Sequence, residues 1–182
     1  MYPSRREELG LWLNRNHLLG AGAEVGVAAG EYAANIASLW AGQRLWLIDP
    51  WEKQDPALYR ESTNDTAPWS LWLAQCKTMA AADNRIGLMQ LCSIDAATRF
   101  SDGELDFVYI DGAHHFSAVV NDLDVWWPKV KTGGIIGGHD FIVDKIDEGW
   151  YCQVSSAVIP WCRDHLLTFA VTPCSSFWIR KI

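Results

Sequence analysis

From Glu24 to the end of the chain, short apolar runs alternate with stretches of helical period, and this alternation restricts the fold more than any other feature. Parallel strands buried on both faces need a covering layer on each side, and the helices that connect them supply it. Seven strands are expected, over Ala23–Val27, Arg44–Ile48, Arg85–Leu91, Leu105–Ile110, Gly134–Gly138, Leu167–Val171 and Ser176–Arg180. Between the first two, Tyr32, Ile36, Leu39 and Trp40 share one helical face. Val119, Val120, Leu123, Trp126 and Trp127 repeat the pattern, and Pro128 ends that helix because it cannot continue the hydrogen-bond ladder. The last two runs are joined through Pro173, Cys174 and Ser175, too short a link for a parallel crossover. The expected class is therefore α/β: an α/β/α sandwich around a mostly parallel seven-stranded sheet that ends in a C-terminal antiparallel hairpin.

At 182 residues the chain has the length of one domain, 1–182, with enough apolar sequence, 49%, to bury a core. The net charge of -7 offers no general attraction to nucleic acid phosphates, so a small-molecule substrate is expected and a nucleic acid is not. Arg5 and Arg6, the only basic cluster, are answered at once by Glu7 and Glu8, as in a solvated helix start. The five cysteines form no C-x-x-C pair and no zinc-ligand spacing, which reads as reduced structural thiols. No signal-peptide core and no membrane-length apolar run occur, which points to a cytoplasmic protein with no membrane partner; a homo-oligomer is compatible with the sequence.

Ala23-Glu24-Val25-Gly26-Val27-Ala28-Ala29-Gly30 ends one expected strand and opens the next helix. Glycines at such a turn let the backbone approach a ligand closely. Their spacing departs from G-x-G-x-x-G, which disfavours a pyrophosphate reader. Asp49, after the second strand, stands where a carboxylate accepts hydrogen bonds from the two ribose hydroxyls of an adenosine. Alone, Gly26 and Gly30 would be equally consistent with a simple tight turn. With Asp49 added, the segment resembles the first motif, acid-x-G-x-x-x-G, of the class I S-adenosylmethionine-dependent methyltransferases. The resemblance implies a Rossmann-like fold, S-adenosylmethionine as cofactor, Gly26 and Gly30 beside its methionine part with Glu24 as the motif's acid, and Asp49 at the ribose. In that fold the loop after the third strand borders the adenine, which makes Ser93 and Ile94 candidates; a helix start with Ser93 as N-cap is the other reading.

The segment Asp106-Phe107-Val108-Tyr109-Ile110-Asp111-Gly112-Ala113-His114-His115-Phe116 is a buried strand that ends in acid, glycine and two histidines, and Gly137-Gly138-His139-Asp140-Phe141 is a second polar ending. Open α/β sheets place ligands at such endings. Together with Asp49-Pro50-Trp51, these segments resemble methyltransferase family 24, whose phrase runs I-D-G-x-H-x-Y, W-x-P, G-G and H-D-Y. Asp111, Gly112, His114, Trp126, Pro128, Gly133, Gly134, His139 and Asp140 match, and Phe116 and Phe141 replace the tyrosines. The resemblance spans about Gly22 to Phe141 and places Pro50, Trp51 and Asp111 with the cofactor residues.

In methyl transfer the sulfonium already activates the carbon, so the protein aligns an acceptor and removes its proton. His114 is the preferred base, since an ordinary imidazole titrates near neutrality; a histidine that only fastens the loop is the competing reading. His139 and Asp140 complete the catalytic set. Asp111 and Asp140 also invite a divalent metal such as magnesium, as in some relatives. His139 stands where those relatives carry a carboxylate, which weakens magnesium and favours hydrogen bonding of Asp111 to the cofactor loop and of Asp140 to substrate.

The expected activity is O-methylation of a sugar, polyketide or aromatic hydroxyl. An aminopropyl transferase acting on a polyamine and a non-catalytic S-adenosylmethionine-binding module are the alternatives. Segment 52–68, polar and bounded by Pro68, reads as a long loop and either a lid or an inert insertion. Of the 11 tryptophans, Trp51 is a candidate stacking surface, whereas Trp69 and Trp72 fall on a helix and are expected in the core.

Overall fold

The computed structural model describes residues 2–56, 59, 61–147 and 150–182. Helix α1 (Leu9–Arg15) leads into strand β1 (Ala21–Val25), helix α2 (Glu31–Leu39) and strand β2 (Arg44–Ile48). The short α3 (Thr63–Thr66) and the long α4 (Trp69–Ala82) precede β3 (Ile86–Met89), and α5 (Ser93–Ala97) precedes β4 (Leu105–Ile110). Then follow α6 (Phe116–Trp126), β5 (Val130–Gly138), the small pair β6 (Lys145–Asp147) and β7 (Trp150–Cys152), α7 (Val154–Asp164), β8 (Phe169–Thr172) and β9 (Ser176–Arg180).

The main sheet has seven strands in the order β3-β2-β1-β4-β5-β9-β8. β1 pairs in parallel with both β2 and β4, β4 with β5, and β2 with β3. β9 runs antiparallel to both β5 and β8, the expected C-terminal hairpin. All six residues of β4 are buried, as befits a central strand covered on both faces. One apolar cluster joins Val25, Val108 and Ile136 to α5, α6 and α7, while the other joins Leu47, Phe107 and Trp178 to α1 and α2. These clusters are the two interfaces of a three-layer sandwich.

Boundaries differ where the sheet bends. β1 ends at Val25, two residues before the expected limit, because Gly26 turns away with φ 84°. β5 begins at Val130 rather than Gly134; its pairing with β4 jumps from Val130 opposite Leu105 to Ile135 opposite Phe107, an irregularity that contains Gly133 at φ 87°. At the other end of β5, glycine has a packing reason. A Cβ on Gly137 would stand 2.3 Å from the Trp178 ring, and one on Gly138 would stand 2.5 Å from the Phe177 ring. β9 therefore lays two aromatic side chains onto the strand that carries His139 and Asp140.

Segment 52–68, expected as a loop, contains α3, and its residues 57, 58 and 60 lie outside the described residues. Buried Asn64 pins this segment: its Oδ1 accepts from the Gln54 N–H at 2.8 Å, and its Nδ2 donates to the Gln54 and Tyr59 carbonyls. Among the described residues, no helix is long and apolar enough to cross a membrane.

Candidate functional site

The sheet order reverses between β1 and β4, and crevices outside the carboxyl ends of such strands are where open α/β sheets bind ligands. A cavity of about 420 Å³ opens there, within the range of small-molecule sites. Gly26, Asp49, Pro50, Ser93, Ile94 and Asp111, all expected at the cofactor, line it. Glu52, Gln54, Tyr59, Glu61 and Thr63 form a wall from segment 52–68.

The loop after β1 is shaped by its backbone. Gly26 and Gly30 both have φ near +85°, and a Cβ on Gly26 would stand 2.2 Å from the Asp111 carbonyl oxygen. No side chain fits between the loop after β1 and the end of β4. Asp49 holds the loop directly: the Val27 and Ala28 N–H groups donate to its Oδ2, both at 3.0 Å, and the Trp51 N–H donates to its Oδ1 at 2.7 Å. Burial pushes the Asp49 pKa up, and these donors pull it back down. Three of the four lone pairs of the carboxylate are engaged, which leaves one acceptor position open.

Glu24, Gly30 and Trp51 stand behind the cavity wall. The Trp51 indole N–H donates to the Ala28 carbonyl at 2.8 Å, so its ring is core and loop support and not an exposed stacking face. Glu24 is buried, and its Oε2 has no hydrogen-bond partner. Burial and the neighbouring Asp111 raise its pKa well above the ordinary carboxylate value, against the opposing pull of Arg6. Arg6 itself corrects the reading of a solvated helix start. Its guanidinium packs 4.8 Å over the Tyr32 ring, and Nη1 lies 3.6 Å from Asp111 Oδ2.

Ser93 is the first residue of α5, with Cys92 at the cap position, so it is not the N-cap. Its hydroxyl accepts from the Trp126 indole N–H at 2.8 Å and donates to Asp122, a residue the sequence reading passed over. Burial lifts the Asp122 carboxyl to about 7, against the lowering effect of Ser93 and His114. Trp69 and Trp72, expected in the core, instead line the cavity and meet edge to face at 5.3 Å.

The acid and imidazole groups gather at the ends of β4 and β5, beside Asp111. The Asp111 N–H donates to the Val25 carbonyl at 2.7 Å, so it is the backbone of Asp111 that ties this end to the cofactor loop. His114, only 12% exposed, places Nδ1 2.6 Å from Glu61 Oε1. A carboxylate only accepts, so this contact puts a ring proton on Nδ1 and turns Nε2 inward. Nε2 is buried without a directed hydrogen bond, 3.2 Å from Asp140 Oδ2 and 3.5 Å from Asp111 Oδ1. Burial works against a charge on His114, but its contacts with Asp111 and Glu61 outweigh burial and raise its pKa well above the ordinary imidazole value.

His139 Nδ1 lies 3.2 Å from Asp140 Oδ1 and 3.8 Å from Asp111 Oδ1. Consecutive residues of an extended strand point to opposite faces, yet His139 and Asp140 converge on Asp111. The reason is local: Asp140 adopts φ 54°, in the left-handed region, and breaks the alternation just past the end of β5. Asp111, His139 and Asp140 each offer a ligand atom within 4.8 Å of the others. His114, His139 and Asp140 do not line the cavity themselves; Asp111 and Glu61, which do, join them to it. Glu61 was not foreseen; it lies 53 positions from His114, and no local pattern marks it.

A family model described as a methyltransferase domain, number 24 of its series, matches residues 23–141, well over half of the chain. No curated protein matches the chain by sequence. Among solved structures, a protein from Corynebacterium glutamicum is 18% identical, with a TM-score of 0.64 over 97% of this chain and 78% of its own. A methyltransferase from Geobacter sulfurreducens is 12% identical, with a TM-score of 0.63 over 100% of this chain and 80% of its own. A Staphylococcus aureus protein, provisionally titled a caffeoyl-CoA O-methyltransferase, is 15% identical, with a TM-score of 0.62 over 96% of this chain and 82% of its own. At these identities the structures speak for the fold, and the family model speaks for the chemistry: the chain belongs to the class I S-adenosylmethionine-dependent methyltransferases.

Proposed function

We propose that the protein methylates a hydroxyl oxygen of a small molecule. The observation that carries this reading is the Glu61–His114 pair, whose inward Nε2 stands among Asp111 and Asp140 at the edge of the cofactor cavity. A hydroxyl is a weak nucleophile until its proton is withdrawn, so its methylation calls for a base beside the oxygen. The neutral form of His114 would take that proton on Nε2 while Glu61 holds the ring by Nδ1; because the carboxylates raise its pKa well above the ordinary imidazole value, that form gains population as pH rises, and turnover should climb with pH on the alkaline side. Asp140 and His139 would orient the hydroxyl.

S-adenosylmethionine, when bound, supplies a methyl group on a positively charged sulfur. In the proposed pose its ribose meets Asp49, its adenine lies near Ser93 and Ile94, and a donor on its methionine part answers the unpartnered Glu24 oxygen. Segment 52–68 serves as the lid, with Tyr59, Glu61 and Thr63 as its inner surface. The apolar ring faces of Trp69 and Trp72 favour an acceptor or adenine with a flat face. The family match is to methyl transfer and leaves the aminopropyl alternative without support.

Turnover assays with S-adenosylmethionine and a panel of hydroxylated sugars, polyketides and aromatics, set beside polyamines and carbon acceptors, test the reading. S-adenosylhomocysteine should accumulate with hydroxyl acceptors; methylation confined to nitrogen or carbon would overturn it. The ribose assignment has its own check: removing the 2′-hydroxyl from S-adenosylhomocysteine should weaken binding, and equal affinity would show that Asp49 serves the loop alone.

A further inference from the structure

Magnesium, the cation that the family resemblance brings to mind, takes oxygen ligands in a near-octahedral shell. The group at the ends of β4 and β5 does not fit it, because one of its donors is the imidazole Nδ1 of His139. We infer that Asp111, His139 and Asp140 form a site for a borderline divalent transition cation, of the manganese-to-zinc class, and that it discriminates against magnesium. Imidazole with carboxylate suits such ions, and affinity for mixed nitrogen and oxygen sites rises from manganese to copper, with zinc below copper.

The distances agree with a site close to its loaded form. Donors about 2.0–2.2 Å from a shared cation stand roughly 3–4 Å from one another. His139 Nδ1 lies 3.2 Å from Asp140 Oδ1 and 3.8 Å from Asp111 Oδ1. All three ligand atoms lie within 4.8 Å of one another, so side-chain movements on the order of an ångström would bring them to that spacing. The left-handed backbone at Asp140 is what brings two consecutive side chains to one point.

A second observation lies across the cluster. His114 Nε2 is buried without a hydrogen bond, 3.2 Å from the other oxygen of Asp140. Asp140 therefore has one oxygen toward the cation position and one toward His114. A cation held at Asp111, His139 and Asp140 would rest against the residue proposed to take the acceptor's proton, with His114 outside its first shell.

The experiment uses the untagged chain, stripped with a chelator and titrated with Co²⁺, Zn²⁺ or Mg²⁺ by calorimetry, with the visible absorption of cobalt as a second readout. Cobalt and zinc should bind at a single site at least ~100-fold more tightly than magnesium. His139→Asp should narrow that gap by ~10-fold or more, and His139→Ala should lose most of the cobalt absorption. Both variants should keep their affinity for S-adenosylhomocysteine, which certifies the fold and separates this outcome from a failure of the cofactor assignment. Magnesium binding as tight as cobalt, cobalt binding indifferent to both variants, or a thiolate-to-cobalt charge-transfer band that places the ion on a cysteine would each overturn the inference.

Discussion

At the cofactor end the backbone sets the shape: Gly26 and Gly30 bend the chain, Asp49 grips two loop N–H groups, and the Asp111 N–H reaches back to Val25. A few ångströms away, at the acid–imidazole end, side chains set it. Glu61, Asp111, His114, His139 and Asp140 arrive from segment 52–68 and from the ends of β4 and β5. A backbone-built cradle is spoiled by adding one atom and barely registers a change of distant charge. A side-chain cluster tolerates substitution structurally and loses chemistry instead.

The sharpest way to break that contrast is Gly26→Ala. The added methyl meets the Asp111 carbonyl at 2.2 Å in a conformation that disfavours any side chain. A loss of ~3 kcal/mol or more in urea unfolding is expected, together with loss of S-adenosylhomocysteine binding. A stable variant that still binds would show that the loop is more plastic than its geometry implies.

His114→Ala should behave oppositely, with turnover down ~100-fold or more and cofactor affinity within about threefold of wild type. Parallel losses in both would merge the two ends into one. Asp49→Ala falls between them: three N–H groups, two of them buried, lose their acceptor, so S-adenosylhomocysteine affinity should drop on the order of tenfold in calorimetry, with a fall in unfolding free energy. Weakened binding at unchanged stability would move the main role of Asp49 from the loop to the ligand.

The smallest effect concerns Asp122, on the cavity wall. A carboxyl lifted by burial to about 7 folds most favourably when protonated, so its cost to stability appears as pH rises from its unfolded value, about 4, through 7. Asp122→Asn cannot ionise and still accepts from Ser93. Its advantage over wild type should therefore grow between about pH 5 and pH 8, by about 1 kcal/mol or more, in paired unfolding curves. Curves that stay parallel would mean that the wall is wetter than its packing implies.

What was legible in the sequence follows the same division. β2, β4 and β9 fall where their apolar runs predict, and the turn after β1 with its Asp49 support is recognisable because glycine spacing and a following acid are local signals. Contacts between distant segments leave no such mark. Glu61 sits in a polar stretch without period, and Arg6 was masked by its acidic neighbours although its guanidinium packs on Tyr32. Trp69 and Trp72 occupy the right helix, but periodicity alone does not say that the helix borders a cavity. His139 was visible as a departure from a carboxylate; only the turn at Asp140 shows it converging with Asp111.

The aromatic clasp that β9 puts on β5 has a consequence for the order in which the molecule can be completed. Every residue that lines the cavity precedes Leu123, whereas the turn bearing His139 and Asp140 follows a strand end held by Phe177 against Gly138 on one face and by Trp178 against Gly137 on the other. On a growing chain, the cavity half is therefore synthesised in full well before the clasp behind the acid–imidazole turn exists. Trimming or fusing at β9, far from the cavity in sequence, would reach the chemistry first and cofactor binding second.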